Sequence, residues 1–141
     1  MSLLNMHQEL LEILAQCDLV YSPLMDIKEY PHGVDIALVE EAVANEDNRE
    51  MVRIIRQRTR VVISLGDCAV NGNVSALRNP AGLAATLERS YGETIRQPEL
   101  TRLETRVLPL HQVIRVDSFI TGCPPDPALI RQEIVERLKL T

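Results

Sequence analysis

The chain has 141 residues, 45% of them apolar and 25% charged, the make-up of one globular domain; a second large domain is excluded. No apolar run approaches the roughly 20 residues that span a bilayer, and the N-terminal segment lacks the basic start and apolar core of a secretion signal, so a cytoplasmic location is expected. Fifteen basic against 20 acidic residues give a net charge of −5, and one Phe, three Tyr and no Trp offer no stacking platform, which excludes nucleic acid as an expected partner.

From Ser2 to Gln16, Leu3, Leu4, Leu10, Leu11 and Leu14 recur at helical spacing and predict an amphipathic helix. Asp18 to Ser22 and Val34 to Val39 read as strands, the second more deeply buried, with Pro23 to Gly33 as the loop between them. Glu46 to Thr59 predicts a surface helix with an acidic start and a basic end, both suited to the helix dipole. Its arginines Arg49, Arg53, Arg56 and Arg58 read as a solvated face rather than a nucleic-acid patch. Val61 to Leu65 is an unbroken apolar run, predicting a strand buried on both faces, and it ends at Gly66-Asp67-Cys68. Between Ala69 and Leu108 the pattern is weak: Asn71-Gly72-Asn73 marks a turn, Asn79-Pro80 a break, and Ala81 to Tyr91 an optional helix. Val113 to Ile120 predicts a last extended stretch, ending at Gly122-Cys123. Asp126 is then a good N-cap, Pro127 a good first residue, and Ile130, Ile134 and Leu138 the apolar stripe of a closing helix.

Strands alternating with helices imply a mostly parallel sheet covered on both faces, with ligands at the carboxyl ends of the strands. Cys68 and Cys123 each follow the carboxyl end of a predicted strand, so such a sheet brings both to one rim. Cys17 precedes a strand and falls at the opposite edge, where it is expected to be a small packed hydrophobe. An odd number of scattered cysteines does not make a disulfide scaffold. Two thiols in loops rich in Gly and Pro suit an iron-sulfur cluster or zinc, although they are half of a usual set of four and neither sits in a C-x-x-C pair. His7, His32 and His111 fall on a helix, in a loop and before a strand, away from that rim. Asp67 has two readings, a bond that tunes a metal group or a cap on its own loop.

Gly66-Asp67-Cys68-Ala69 with Gly72-Asn73, and Gly122-Cys123-Pro124-Pro125, resemble the cluster-binding segments of nickel-iron hydrogenase small subunits, a family that includes the 20 kDa subunit of NADH:quinone oxidoreductase. Tyr21 to Pro31, Leu38-Val39-Glu40, Ala42 to Asn45 and Arg78-Asn79-Pro80 narrow the likeness to the small subunit of soluble, NAD-reducing (bidirectional) hydrogenases. The resemblance implies a flavodoxin-like three-layer α/β sandwich with a mostly parallel sheet, carrying one 4Fe-4S cluster. Cys68 and Cys123 are then two of its four thiolate ligands. It further implies a catalytic nickel-iron large subunit and diaphorase subunits as partners, with no catalysis by this chain alone. No Gly-rich phosphate loop accompanies the strands, which argues against a flavin.

The resemblance also sets two departures. In the family a first strand ending in C-x-x-C precedes a segment like Met1-Ser2-Leu3-Leu4, so residues 1–141 are expected to be a single iron-sulfur domain, N-terminally incomplete, lacking that first strand and two ligands. Glu41 stands where the family tends to have Gly, and a turn there with positive φ would strain it. The rival readings are the equivalent subunit of a quinone- or other acceptor-linked complex, and a cluster-free structural or assembly subunit.

Overall fold

A computed structural model describes residues 3–92 and 101–140. Its centre is a parallel sheet of β1 (Val34–Val39), β3 (Thr59–Leu65) and β5 (Ser118–Ile120), in the order β1-β3-β5. β2 (Val43–Asn45) and β4 (Leu103–Leu108) form a separate antiparallel pair. The helices are α1 (Gln8–Leu14), α2 (Glu46–Arg58), α3 (Gly66–Asn71), α4 (Leu83–Tyr91) and α5 (Pro127–Leu138).

β3 holds the molecule together because both of its faces are apolar. Val61, Ile63 and Leu65 point to one side, where Met6, Ile13 of α1, Ile130 and Ile134 of α5, and Ile120 close a core. Val62 points to the other, against Val52 and Ile55 of α2, with Tyr30, Val39, Val43, Leu110 and Ile114. The result is the expected three-layer α/β sandwich with a mostly parallel sheet. β1 and β3 are hydrogen-bonded neighbours, in register from Val34 opposite Thr59 to Val39 opposite Ser64. A flavodoxin-like order would set these two strands on either side of a first strand; here the sheet is continuous between them.

Local chemistry explains the starts of α2 and α5. The Asn45 side chain accepts the Asn48 N–H at 2.7 Å, while Asn48 Oδ1 accepts from Ala44 N–H at 3.3 Å, a reciprocal cap at the start of α2. Asp126 accepts from Ala128 N–H at 2.9 Å and Pro127 opens α5, as its sequence predicts.

Other expectations change. Asp18 to Ser22 is not a strand: it runs as irregular backbone with Leu19 and Val20 exposed. The last extended stretch shortens to β5, since Leu110–Gln112 is a 3-10 turn and the chain bends after it. The first helix is broken at His7, with Leu4–Met6 as a 3-10 turn ahead of α1; Ser2, at its expected start, lies outside the described residues. The unclear middle segment supplies β4, held by two side chains. Asn79 Nδ2 donates to Val107 O at 2.9 Å and its Oδ1 accepts Val107 N–H at 2.8 Å, replacing a strand partner, and Arg78 Nη2 donates to Glu104 O and Ala44 O.

Three of the α2 arginines are engaged within the molecule rather than solvated. Arg49 pairs with Glu104, Arg58 with Glu29 and Tyr30 O, and Arg56 with Asp117 and three backbone carbonyls; Arg53 remains exposed.

Candidate metal centre

In a parallel sheet all strands end at one rim, and here β3 and β5 end side by side, Leu65 opposite Ile120. The chain leaves β3 through Gly66 straight into α3, which carries Cys68, and leaves β5 through Thr121 and Gly122 to Cys123. The two cysteine segments therefore meet, as their place in the sequence predicts. Cys68 is half-buried and Cys123 exposed, and both are free thiols.

Direct bonds join the two segments. Asp67 N–H donates to Gly122 O at 3.0 Å, and Asp67 Oδ1 accepts Gly122 N–H at 2.7 Å. The glycines are required by geometry. Gly122 has φ +126°, and a Cβ there would lie 2.7 Å from Pro125 Cα and 2.8 Å from Pro124 O. Gly66 has φ +80°, the conformation that turns the chain from strand to helix without a gap. Gly122 and Pro125 bridge across the tight turn that presents Cys123, and the Cys123–Pro124 peptide is cis.

The other candidates fall elsewhere. Cys17 follows α1, packs against the α1/α5 core and donates its Sγ–H to Ile13 O at 3.2 Å; burial, then the nearby Asp18 charge, push its thiol pKa up, which suits a packing role. His7 lies in the break before α1, His32 in an exposed loop, and His111 edge-on to Phe119 with ring centroids 5.9 Å apart. Among the described residues no group of three His, Cys, Asp or Glu side chains could hold a metal ion. The donor set at the rim is thus two soft thiols, the right chemistry for iron or zinc and half the number a four-thiolate cluster takes.

Sequence reasoning missed the Asp67–Gly122 contact, because two hydrogen bonds between residues far apart in the chain leave no trace in local pattern. Aspartate two residues after a buried strand and glycine two residues after another were visible. Their pairing needed the register of β3 against β5.

The family described as NADH ubiquinone oxidoreductase, 20 Kd subunit, matches residues 1–137. The chain is 37% identical to a subunit of the vhu F420-non-reducing hydrogenase of Methanocaldococcus jannaschii, over 97% of this chain and 50% of that protein. It is 36% identical to the NAD-reducing hydrogenase HoxS subunit delta of Cupriavidus necator, over 89% of this chain and 66% of that one. In structure it is similar to a chain of an NAD+-reducing [NiFe]-hydrogenase crystallised in the H2-reduced state, with a TM-score of 0.84 and 32% identity, covering 92% of this chain and 77% of that chain. The chain spans half to two-thirds of the length of these curated relatives. With a family match over nearly its whole length and hydrogenase subunits as its relatives, this chain belongs to the NADH ubiquinone oxidoreductase 20 kDa subunit family.

Proposed function

We propose that the chain is the electron-transfer small subunit of an NAD-reducing nickel-iron hydrogenase, with residues 1–141 as one iron-sulfur domain. Cys68 and Cys123 supply two of the four thiolates of one 4Fe-4S cluster. When bound, such a cluster passes single electrons between the nickel-iron site of a large subunit and a diaphorase module. The observation that carries this reading is the meeting of the Gly66-Asp67-Cys68 start of α3 with the Gly122-Cys123 turn at the carboxyl rim of the parallel sheet, joined by the Asp67–Gly122 bonds.

The residues of this chain do three things for that role. Cys68 and Cys123 offer soft sulfur donors from two segments, so a bound group cross-links β3 to β5. Gly66 supplies the positive φ at the start of α3, facing Gly122 O, and Gly122 lets the turn at Pro124 and Pro125 close without a Cβ clash. The apolar layer beneath, with Leu65 and Ile120 buried, keeps water from the inner side of the rim. The part of the redox chemistry that reacts with hydrogen belongs to the partner, and the described residues contain no helix long and apolar enough to cross a membrane. A cytoplasmic complex is the setting this reading takes.

A second reading rests on one comparison: the F420-non-reducing relative is as similar as the NAD-reducing one, so a different electron acceptor is the rival. The test is anaerobic expression of the complete complex, with iron counting and electron paramagnetic resonance of the dithionite-reduced protein. A reduced-cluster signal lost in Cys68→Ser and in Cys123→Ser, with Cys17→Ser unaffected, supports the reading. An assembled complex whose iron content is unchanged by both substitutions sinks it. Hydrogen-dependent reduction of NAD separates the first reading from the second.

A further inference from the structure

Asp67 links the two segments that bear the thiols, the start of α3 and the turn after β5. Its backbone N–H and its carboxylate Oδ1 engage the carbonyl and the N–H of the same residue, Gly122, at 3.0 and 2.7 Å. One hydrogen bond leaves a loop free to rotate about it; two bonds to both backbone polar groups of one residue fix its distance and its orientation together. Cys68 is the next residue after Asp67 and Cys123 the next after Gly122, so the clamp lies one residue from each thiol.

The competing role, a cap on α3, does not match the contacts. The N-cap position of α3 is Leu65, with no side-chain bond, and Asp67 Oδ1 is directed across to the other loop. Acceptor reach and charge are separable in such a clamp. A carboxylate accepting a backbone N–H is a stronger acceptor than an amide, but the reach of the side chain is the same in Asn. Glu keeps the charge and moves the acceptor by one methylene.

We propose that Asp67 is a positioning residue that sets the spacing of the Cys68 and Cys123 thiols, acting through the reach of its acceptor oxygen rather than through its charge. This rests on the reading that the two thiols serve one group, and it is testable without that group.

The experiment uses the full chain in its complex, stripped of iron by a chelator under reducing conditions and titrated with phenylarsine oxide. Arsenic(III) condenses with two thiols: two As–S bonds form, the arsenic-bound oxygen leaves as water with the two thiol protons, and no electrons are transferred. Mass mapping counts only the adduct that joins the Cys68 and Cys123 peptides. Asp67→Asn should capture the probe within about threefold of the parent, whereas Asp67→Ala and Asp67→Glu should each weaken capture by about tenfold, the scale of one lost hydrogen bond. Alkylation of Cys17, which packs against the α1/α5 core, reports unfolding. If Asp67→Ala unfolds, the contrast between Asn and Glu still decides. Equal capture by the parent and a folded Asp67→Ala overturns the proposal, and so does Asp67→Glu capturing as well as the parent while Asp67→Asn does not, since charge would then be the agent. Iron absent from the intact complex, with the arsenical contrast preserved, overturns the cluster reading and leaves the clamp standing.

Discussion

Glu41 has a φ of 70°, the left-handed region that glycine adopts freely and other residues enter at a cost. The side chain is exposed, so nothing in its surroundings repays that cost through packing. The left-handed conformation costs a non-glycine residue about 1–2 kcal/mol, and the extra freedom of glycine in the unfolded chain returns about 0.4–1 of it. Glu41→Gly should therefore raise stability by about 0.5 kcal/mol in urea titration, and Glu41→Val should lower it by about 1 kcal/mol. A Glu41→Gly protein less stable than the parent would show that Glu41 makes a compensating contact. The family resemblance, with Gly expected at this position, pointed to strain on condition of a positive φ, and the observed φ meets that condition; local pattern alone does not give it, because a turn's handedness depends on how β1 is led into β2. Asp67 shows the same limit, since neither of its two sequence readings named its observed partner, which lies in another segment.

At the scale of elements, the first helical segment shows how a period can be read correctly and its face only in part. Of the stripe Leu3, Leu4, Leu10, Leu11 and Leu14, Leu3 and Leu10 pack against the core, while Leu4 and Leu11 are each 67% exposed. The buried line is Leu3, Met6, Leu10, Ile13 and Cys17, also at spacings of three and four. A leucine-rich segment offers both faces, and only the position of α5 and the sheet chooses between them. Ile13→Ala should cost about 2–4 kcal/mol, while Leu11→Ala should change stability by less than about 0.5 kcal/mol; chemical denaturation of the two variants checks this. Costs in the reverse order would place the other face of α1 in the core. Asp18 to Ser22 failed as a strand for a related reason: extended propensity makes a strand only beside a partner edge, and this run has none among the described residues. β4 went unread because its residues alternate weakly and its hold comes from pairing with β2 and from the side chains of Asn79 and Arg78, all distant in sequence.

Over the whole molecule, Asp117 ties three elements together just ahead of β5. Its N–H donates to Val62 O at 2.9 Å, its Oδ2 accepts Val62 N–H at 2.8 Å, and Arg56 of α2 pairs with the same carboxylate. Burial pushes this carboxyl pKa up, but the hydrogen bonds from Arg56 and Val62 and the charges of Arg56 and Arg115 outweigh it, and the net shift is downward. A depressed folded pKa gives stability that is present above the unfolded value of about 3.9 and is lost as pH falls through the folded value. Asp117→Asn should cost about 1–3 kcal/mol at neutral pH, and its stability curve should converge on the parent's as both are acidified below about pH 4. Parallel curves down to about pH 2 would show that Asp117 is not a source of acid sensitivity. The sequence by itself determined the α/β class, the buried central strand, the well-capped last helix and a Gly and a Cys just past the ends of two strands, because each is written in periodicity, propensity and steric demand within a few neighbouring residues. Only the tertiary structure decided that β1 pairs directly with β3, which face of α1 is buried, and that Asp67 clamps Gly122, because register, facing and contacts across the sheet are set by the packing of segments that local sequence does not connect.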